Sequence, residues 1–186
     1  LMVAWRTEAE DRLRALATTD ALTGIANRRG FDLQAQALLA DALHTRESVT
    51  AVMFDLDHFK RINDTHGHDV GDRALELFAS LLRDVLPAGG LAGRLGGEEF
   101  VALLKHAAHV PAAQELDHRL RGRLAAATGP YLGFSLGYSA GTATVSPHRM
   151  PAPVHLRTDL MARADAALYR AKEQGRGHLL EAAVAA

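Results

Sequence analysis

The 186-residue chain has no cysteine, which excludes disulfides and thiolate zinc sites and permits a reducing compartment. It has no excess of one charge: 21 Lys and Arg stand against 22 Asp and Glu, for a formal net charge of -1. That balance argues against a nucleic-acid scaffold, which carries a basic excess. No apolar run is long enough to cross a bilayer, and neither an internal repeat nor a low-complexity linker is present. The composition, 48% hydrophobic and 23% charged, is that of a globular domain with a proper core. Ten histidines would add positive charge below neutral pH.

The chain begins LMVAWRTEAED, without an initiator Met. This start is expected to be a cut inside a longer protein. Its first five residues fit either the inner end of a removed membrane helix or an arbitrary boundary. Helix formers with apolar spacing at Ala9, Leu13, Leu16 and Ala17 predict a helix from about Trp5 to Thr18. Capping residues Thr18, Thr19 and Asp20 and the turn residue Gly24 break that pattern. Asn27 is a good N-cap for a helix running from about Arg28 to His44. SVTAVMFDLD reads as a buried strand, HFKRIND as a short helix, and HGHDVGD as a loop or helix entry. A long amphipathic helix with Ala74, Leu77, Phe78, Leu81, Leu82 and Val85 on one face follows and ends at PAGG. LAGRL and EFVALL flank Gly96-Gly97 as a β-hairpin. VPAAQELDHRLRGRLAAA is helical, YLGFSLGYSAGTATV is a strand, and SPHRMPAPVH is a loop. TDLMARADAALYRAKEQGRG is a helix that Gly175 ends.

The chemistry concentrates in acids at strand ends. Asp55 and Asp57 close the FDLD strand, and side-chain alternation places them on one face. Glu98 and Glu99 stand at the hairpin turn, where a solvated turn is the plain alternative to a site. Acids from two neighbouring strands would offer hard oxygen ligands suited to Mg²⁺ shared with phosphates. Asn63 and Asp72 could read a guanine edge, or could be helix caps. Lys172 and Arg176 lie four apart on the last helix and could neutralise a polyphosphate, or could simply complement a helix C-terminus. A phosphatase with two acids after its first strand loses ground, because His58, Phe59 and Lys60 follow. Two histidines in His66-Gly67-His68 read as a polar loop rather than as the start of a four-ligand zinc site.

DALTGIANRR, FDLDHFKRINDTHGHDVGD, RLGGEEF, FSLGYSAG and ADAALYRAKEQGR occur in an order and spacing that resembles the GGDEF family of diguanylate cyclases, over Asp20 to Arg176. GGEEF is an accepted form of the signature. The resemblance implies an α/β (α+β) fold: a central, mostly antiparallel, five-stranded sheet surrounded by helices, similar to nucleotidyl cyclases and the polymerase palm. It divides the chain into a signalling helix at 1–18, a catalytic domain at 19–182 and a tail at 183–186. The implied activity is condensation of two GTP into cyclic di-GMP with release of two pyrophosphates. The alternative is an inactive GGDEF module that binds GTP or protein partners.

By the same resemblance Asp55, the Leu56 carbonyl and Glu98 would hold Mg²⁺ or Mn²⁺, with Glu99 supporting catalysis. Asn63 and Asp72 would read guanine. Phe59 and Lys60 would meet the phosphates, Lys172 and Arg176 the terminal phosphate, while Gly96 and Gly97 would let backbone approach the nucleotide. The implied partners are GTP, a second copy of the domain, and an upstream sensory domain, with no nucleic acid and no membrane contact by this domain; the implied location is cytoplasmic. Two features depart from the family pattern. An Arg-x-x-Asp product-inhibition site is replaced by Pro87-Ala88-Gly89-Gly90, so strong inhibition there is not expected. Gly177 takes a place where Asn is frequent.

Overall fold

The structure is a computed structural model that describes residues 17–146 and 153–182. The expected signalling helix lies outside the described residues except for its last two positions, and so does the expected tail.

Among the described residues, six strands and five helices follow in the order β1 (Ala26–Asn27), α1 (Arg28–Thr45), β2 (Ser48–Leu56), α2 (Phe59–His66), α3 (His68–Val85), β3 (Leu91–Gly96), β4 (Glu99–His106), α4 (Ala112–Leu132), β5 (Tyr138–Val145), α5 (Pro153–Glu173) and β6 (Leu179–Glu181). The strands form one sheet in the order β1-β3-β4-β2-β5-β6. Its inner pairs β3–β4, β4–β2 and β2–β5 are antiparallel. The sheet therefore has six strands rather than five. Both edge strands, two and three residues long, pair in parallel with a neighbour. Segments this short carry no alternation to read, and only the partner strand defines them.

β2 is buried along its whole length, as a central strand covered on both faces must be. Its Val52, Phe54 and Leu56 enter a core with α2, α3 and α4, where Phe54 and Phe78 meet edge to face at 5.8 Å. Its Val49, Ala51 and Met53 enter a second core against α1 and α5. Alternation carries Asp55 onto the α5 side, the side from which Lys172 reaches it. The approach of α5 to β5 needs Gly141: a Cβ there would lie 2.0 Å from the Leu168 amide nitrogen.

Two expected boundaries move. α4 runs through Pro130 to Leu132 and ends at Gly133 in the left-handed region, so the expected strand from Tyr131 begins only at Tyr138. A tertiary contact holds the extra turn, since Arg73 donates to the Tyr131 carbonyl at 2.7 Å and lies over its ring. α5 begins at Pro153, inside the expected loop, where proline's missing N–H is tolerated in a first helical turn.

Candidate active site

Asp55 is the buried acid at the end of the central strand, opposite Glu99 on β4 and Ser139 on β5. Its Oδ2 meets Lys172 Nζ at 2.7 Å. Burial pushes the Asp55 carboxyl above its ordinary range against the pull of Lys172, and the charges of Glu98 and Glu99 push the same way. Three carboxylates and one ammonium thus share the strand end. The Leu56 side chain is in the core, while its amide donates to the Glu98 carbonyl at 3.3 Å and ties the hairpin turn to β2.

The turn itself is built around Gly96 and Gly97, with φ of 147° and 50°. At such angles a side chain would strain the backbone, which explains the glycine pair. A clamp unassigned from sequence holds this turn. Arg94 donates from Nε and Nη2 to the Gly97 carbonyl at 2.9 and 2.8 Å, and from Nη1 to Asp20 at 3.1 Å. Burial opposes ionisation of Asp20, but hydrogen bonds from Thr23 and Arg94 outweigh it and hold its carboxyl below the usual range. Arg94 and Asp20 both lie in motif blocks, and Asp20 also reads as a capping residue.

Phe59 is buried in the first turn of α2, and Lys60 beside it is exposed. Asn63, one turn on, packs against α3 at Gly71; its Oδ1 is buried without a hydrogen-bond partner. A buried acceptor left open is costly, and a ligand donor would satisfy it. Asp72 follows Gly71 directly and is exposed. The α2–α3 corner thus brings Asn63 and Asp72 onto adjoining elements.

Arg176 departs from its expected place. α5 ends at Glu173, and Arg176 lies beyond it with φ 65°, so it does not share a helix face with Lys172. It lines a cavity of about 470 Å³ with Asp57, His58, Arg61, His66 and Phe134, which excludes Asn63, Asp72 and Glu98. Asp57 stands just past β2 and serves as an anchor. Its Oδ1 accepts from Ser139 Oγ at 2.7 Å and its Oδ2 from the Gly177 amide at 3.1 Å. Gly177 has φ 72°, a conformation that glycine adopts freely and asparagine tolerates best among other residues. His66 stacks on Phe134 at 4.6 Å. In the Pro87–Gly90 segment, the Gly90 amide donates to the Pro87 carbonyl at 2.9 Å.

Among the described residues, no three carboxylate or imidazole groups form a ready-made metal cage. The donor chemistry nonetheless fits a hard divalent cation. Oxygen donors from Asp55 and Glu98 lie at one strand end, and the Asp55 carboxylate already carries a cationic neighbour in Lys172. Nucleotide phosphates would complete such a coordination shell.

A sheet of this topology, with acids at its central strand end beside a glycine-turn hairpin, defines a nucleotidyl-cyclase-like α/β domain. Residues 17–178 match the family described as "Diguanylate cyclase, GGDEF domain", and the chain belongs to that family. A diguanylate cyclase of Vibrio cholerae is 36% identical over 169 residues, covering 91% of this chain and 51% of that protein. DgcP of Pseudomonas aeruginosa, a diguanylate cyclase, is 37% identical over 178 residues, covering 95% and 25%. The coiled coil and GGDEF domain of DgcB from Caulobacter crescentus, solved with c-di-GMP, superposes with a TM-score of 0.83 at 30% identity, covering 97% of this chain and 94% of that one. The active GGEEF domain of a Vibrio cholerae diguanylate cyclase gives 0.74 at 31% identity, covering 87% and 99%. The chain spans about half or less of the length of these curated relatives. No helix among the described residues is long and apolar enough to cross a membrane.

Proposed function

We propose that residues 19–182 form a diguanylate cyclase domain that condenses two GTP into cyclic di-GMP and two pyrophosphates. The observation that carries this reading is the buried Asp55 carboxylate at the end of the central strand, paired with Lys172 and within the field of the Glu98 and Glu99 charges. Asp55, the Leu56 carbonyl and Glu98 would hold Mg²⁺ or Mn²⁺. When bound, the metal supplies a Lewis acid that acidifies the attacking ribose hydroxyl and neutralises charge on the phosphates.

The remaining work belongs to the chain. Asn63 and Asp72 hold the guanine edge: the Asp72 carboxylate accepts from the N1–H and the exocyclic amine, donors that adenine does not offer together. The first-turn amides of α2, at Phe59 and Lys60, donate to phosphate oxygens, and the Lys60 ammonium adds charge. Lys172, in the last turn of α5, and Arg176, just beyond that helix, bind the terminal phosphates. Gly96 and Gly97 admit the nucleotide against bare backbone, and Arg94 keeps that turn in register. Glu99 supports the metal-binding turn.

Each ribose 3′-hydroxyl attacks the α-phosphorus of the other GTP, and the pyrophosphate leaves in line with it. One domain holds one GTP and therefore half of the reaction centre, so turnover requires a homodimer. An upstream sensory domain in the full-length protein would set this pairing.

The test is incubation with GTP and Mg²⁺ followed by chromatography of the nucleotides, using the protein alone and fused to a dimerising segment. Cyclic di-GMP from wild type and none from Asp55→Asn is the expected result. GTP that is bound but unconverted by a confirmed dimer would leave a regulatory module, and full turnover by Asp55→Asn would reject the site.

A further inference from the structure

A divalent cation and the Lys172 ammonium compete for the same carboxylate. Lys172 Nζ sits 2.7 Å from Asp55 Oδ2, so a divalent cation placed on that oxygen would meet the ammonium charge at close range. Asp55 is nearly closed to solvent, with a side-chain exposure of 11%, so bulk water does little to screen the contest. Lys172 occupies the last turn of α5, which stops at Glu173. Four methylenes carry its ammonium, enough for the group to swing while the helix stays fixed. A triphosphate, with several charges, is a stronger partner for that ammonium than one carboxylate.

We propose that Lys172 makes the cation and the nucleotide bind together: its ammonium closes the Asp55 site until a triphosphate draws it away. The inference rests on the reading of the site as a GTP site. The free domain then binds divalent cation weakly, and the first-arriving nucleotide opens the carboxylates to it. Nucleotide without cation gains less, because the freed Asp55, Glu98 and Glu99 repel one another and the phosphates. Linkage makes the effect reciprocal.

The experiment measures Mn²⁺ binding by electron paramagnetic resonance in wild type, Lys172→Gln and Lys172→Arg. Each is titrated with Mn²⁺ alone and with Mn²⁺ plus an α,β-methylene analogue of GTP. Gln removes the charge and keeps a side-chain N–H donor, and circular dichroism checks the fold. Complexation of Mn²⁺ by the free analogue is common to all three proteins and cancels in the comparison.

Without nucleotide, Lys172→Gln should bind Mn²⁺ about tenfold more tightly than wild type, within the usual range of coupling between sites. Its gain on adding the analogue should fall by a similar factor. Lys172→Arg, which keeps the charge, should resemble wild type in Mn²⁺ alone. A purely structural role would not separate the two variants in this way. A tightening of less than about threefold in Lys172→Gln overturns the inference, as does an equal tightening in Lys172→Arg. Synthesis of cyclic di-GMP by wild type, read separately, distinguishes the two levels. Its persistence beside an unchanged Lys172→Gln affinity removes only the role of Lys172, whereas its absence together with no binding of the analogue removes the GTP reading itself.

Discussion

Gly71 couples packing to base recognition, so Gly71→Ala tests both. A Cβ at this position would lie 1.8 Å from Asn63 Oδ1, 3.0 Å from its Cγ and 3.3 Å from Phe59 Cζ. The nearest of these atoms is the end of a side chain, so Asn63 swings out before α2 and α3 part. Alanine gains up to about 1 kcal/mol over glycine within a helix. Overpacking costs about 1–3 kcal/mol, which leaves a net loss of roughly 0–3 kcal/mol. The functional cost is separate. Losing one or two hydrogen bonds to the base, each about 0.5–1.5 kcal/mol, weakens GTP by about twofold to 150-fold. Urea denaturation measures the first quantity and titration calorimetry with the methylene analogue the second. The double variant Asn63→Ala/Gly71→Ala removes the colliding oxygen, so it should regain about 1 kcal/mol of stability over Gly71→Ala while binding no better. Analogue affinity within about twofold of wild type in Gly71→Ala would refute the placement of Asn63 at the base. A double variant no more stable than the single would refute the collision.

Asp72 is exposed, so Asp72→Ala should leave thermal unfolding unchanged while erasing the preference for GTP over ATP in competition binding; an unaltered preference would remove Asp72 from base reading. The Arg94 clamp gives a pH signature. The Asp20 carboxyl is held low in the folded chain, so its contribution to stability is complete above the ordinary carboxylate range and disappears as pH falls through its lowered value. The gap in melting temperature between wild type and Arg94→Met should therefore be widest near neutrality and close in acid; a gap that grows on acidification would contradict the clamp.

The candidate residues are legible in the sequence because each lies in a segment with a strong local signal. Asp55 ends a continuous apolar run, the glycine pair marks a hairpin, Asn63 sits in a short helical stretch, and Asp72 stands at the entry of a long amphipathic helix. The sequence is less legible where a contact between distant segments sets the outcome. The last turn of α4 survives Pro130 because Arg73, from another helix, holds Tyr131. β1 and β6 exist as strands only through their neighbours. Arg176 falls outside the helix that its spacing from Lys172 implied, because α5 stops at Glu173 and the chain turns left-handed.

The sequence by itself determined the fold class, the family and the inventory of acids, cations and glycines, because periodicity and motif spacing are local properties. Tertiary structure alone decided which groups touch. It set the Lys172 ammonium on Asp55, the Arg94 fork on Gly97 and Asp20, and the Asp57 carboxylate between Ser139 and Gly177. Those pairings join residues from 3 to 120 positions apart, and their energies depend on burial and direction, which exist only once the sheet and helices have packed.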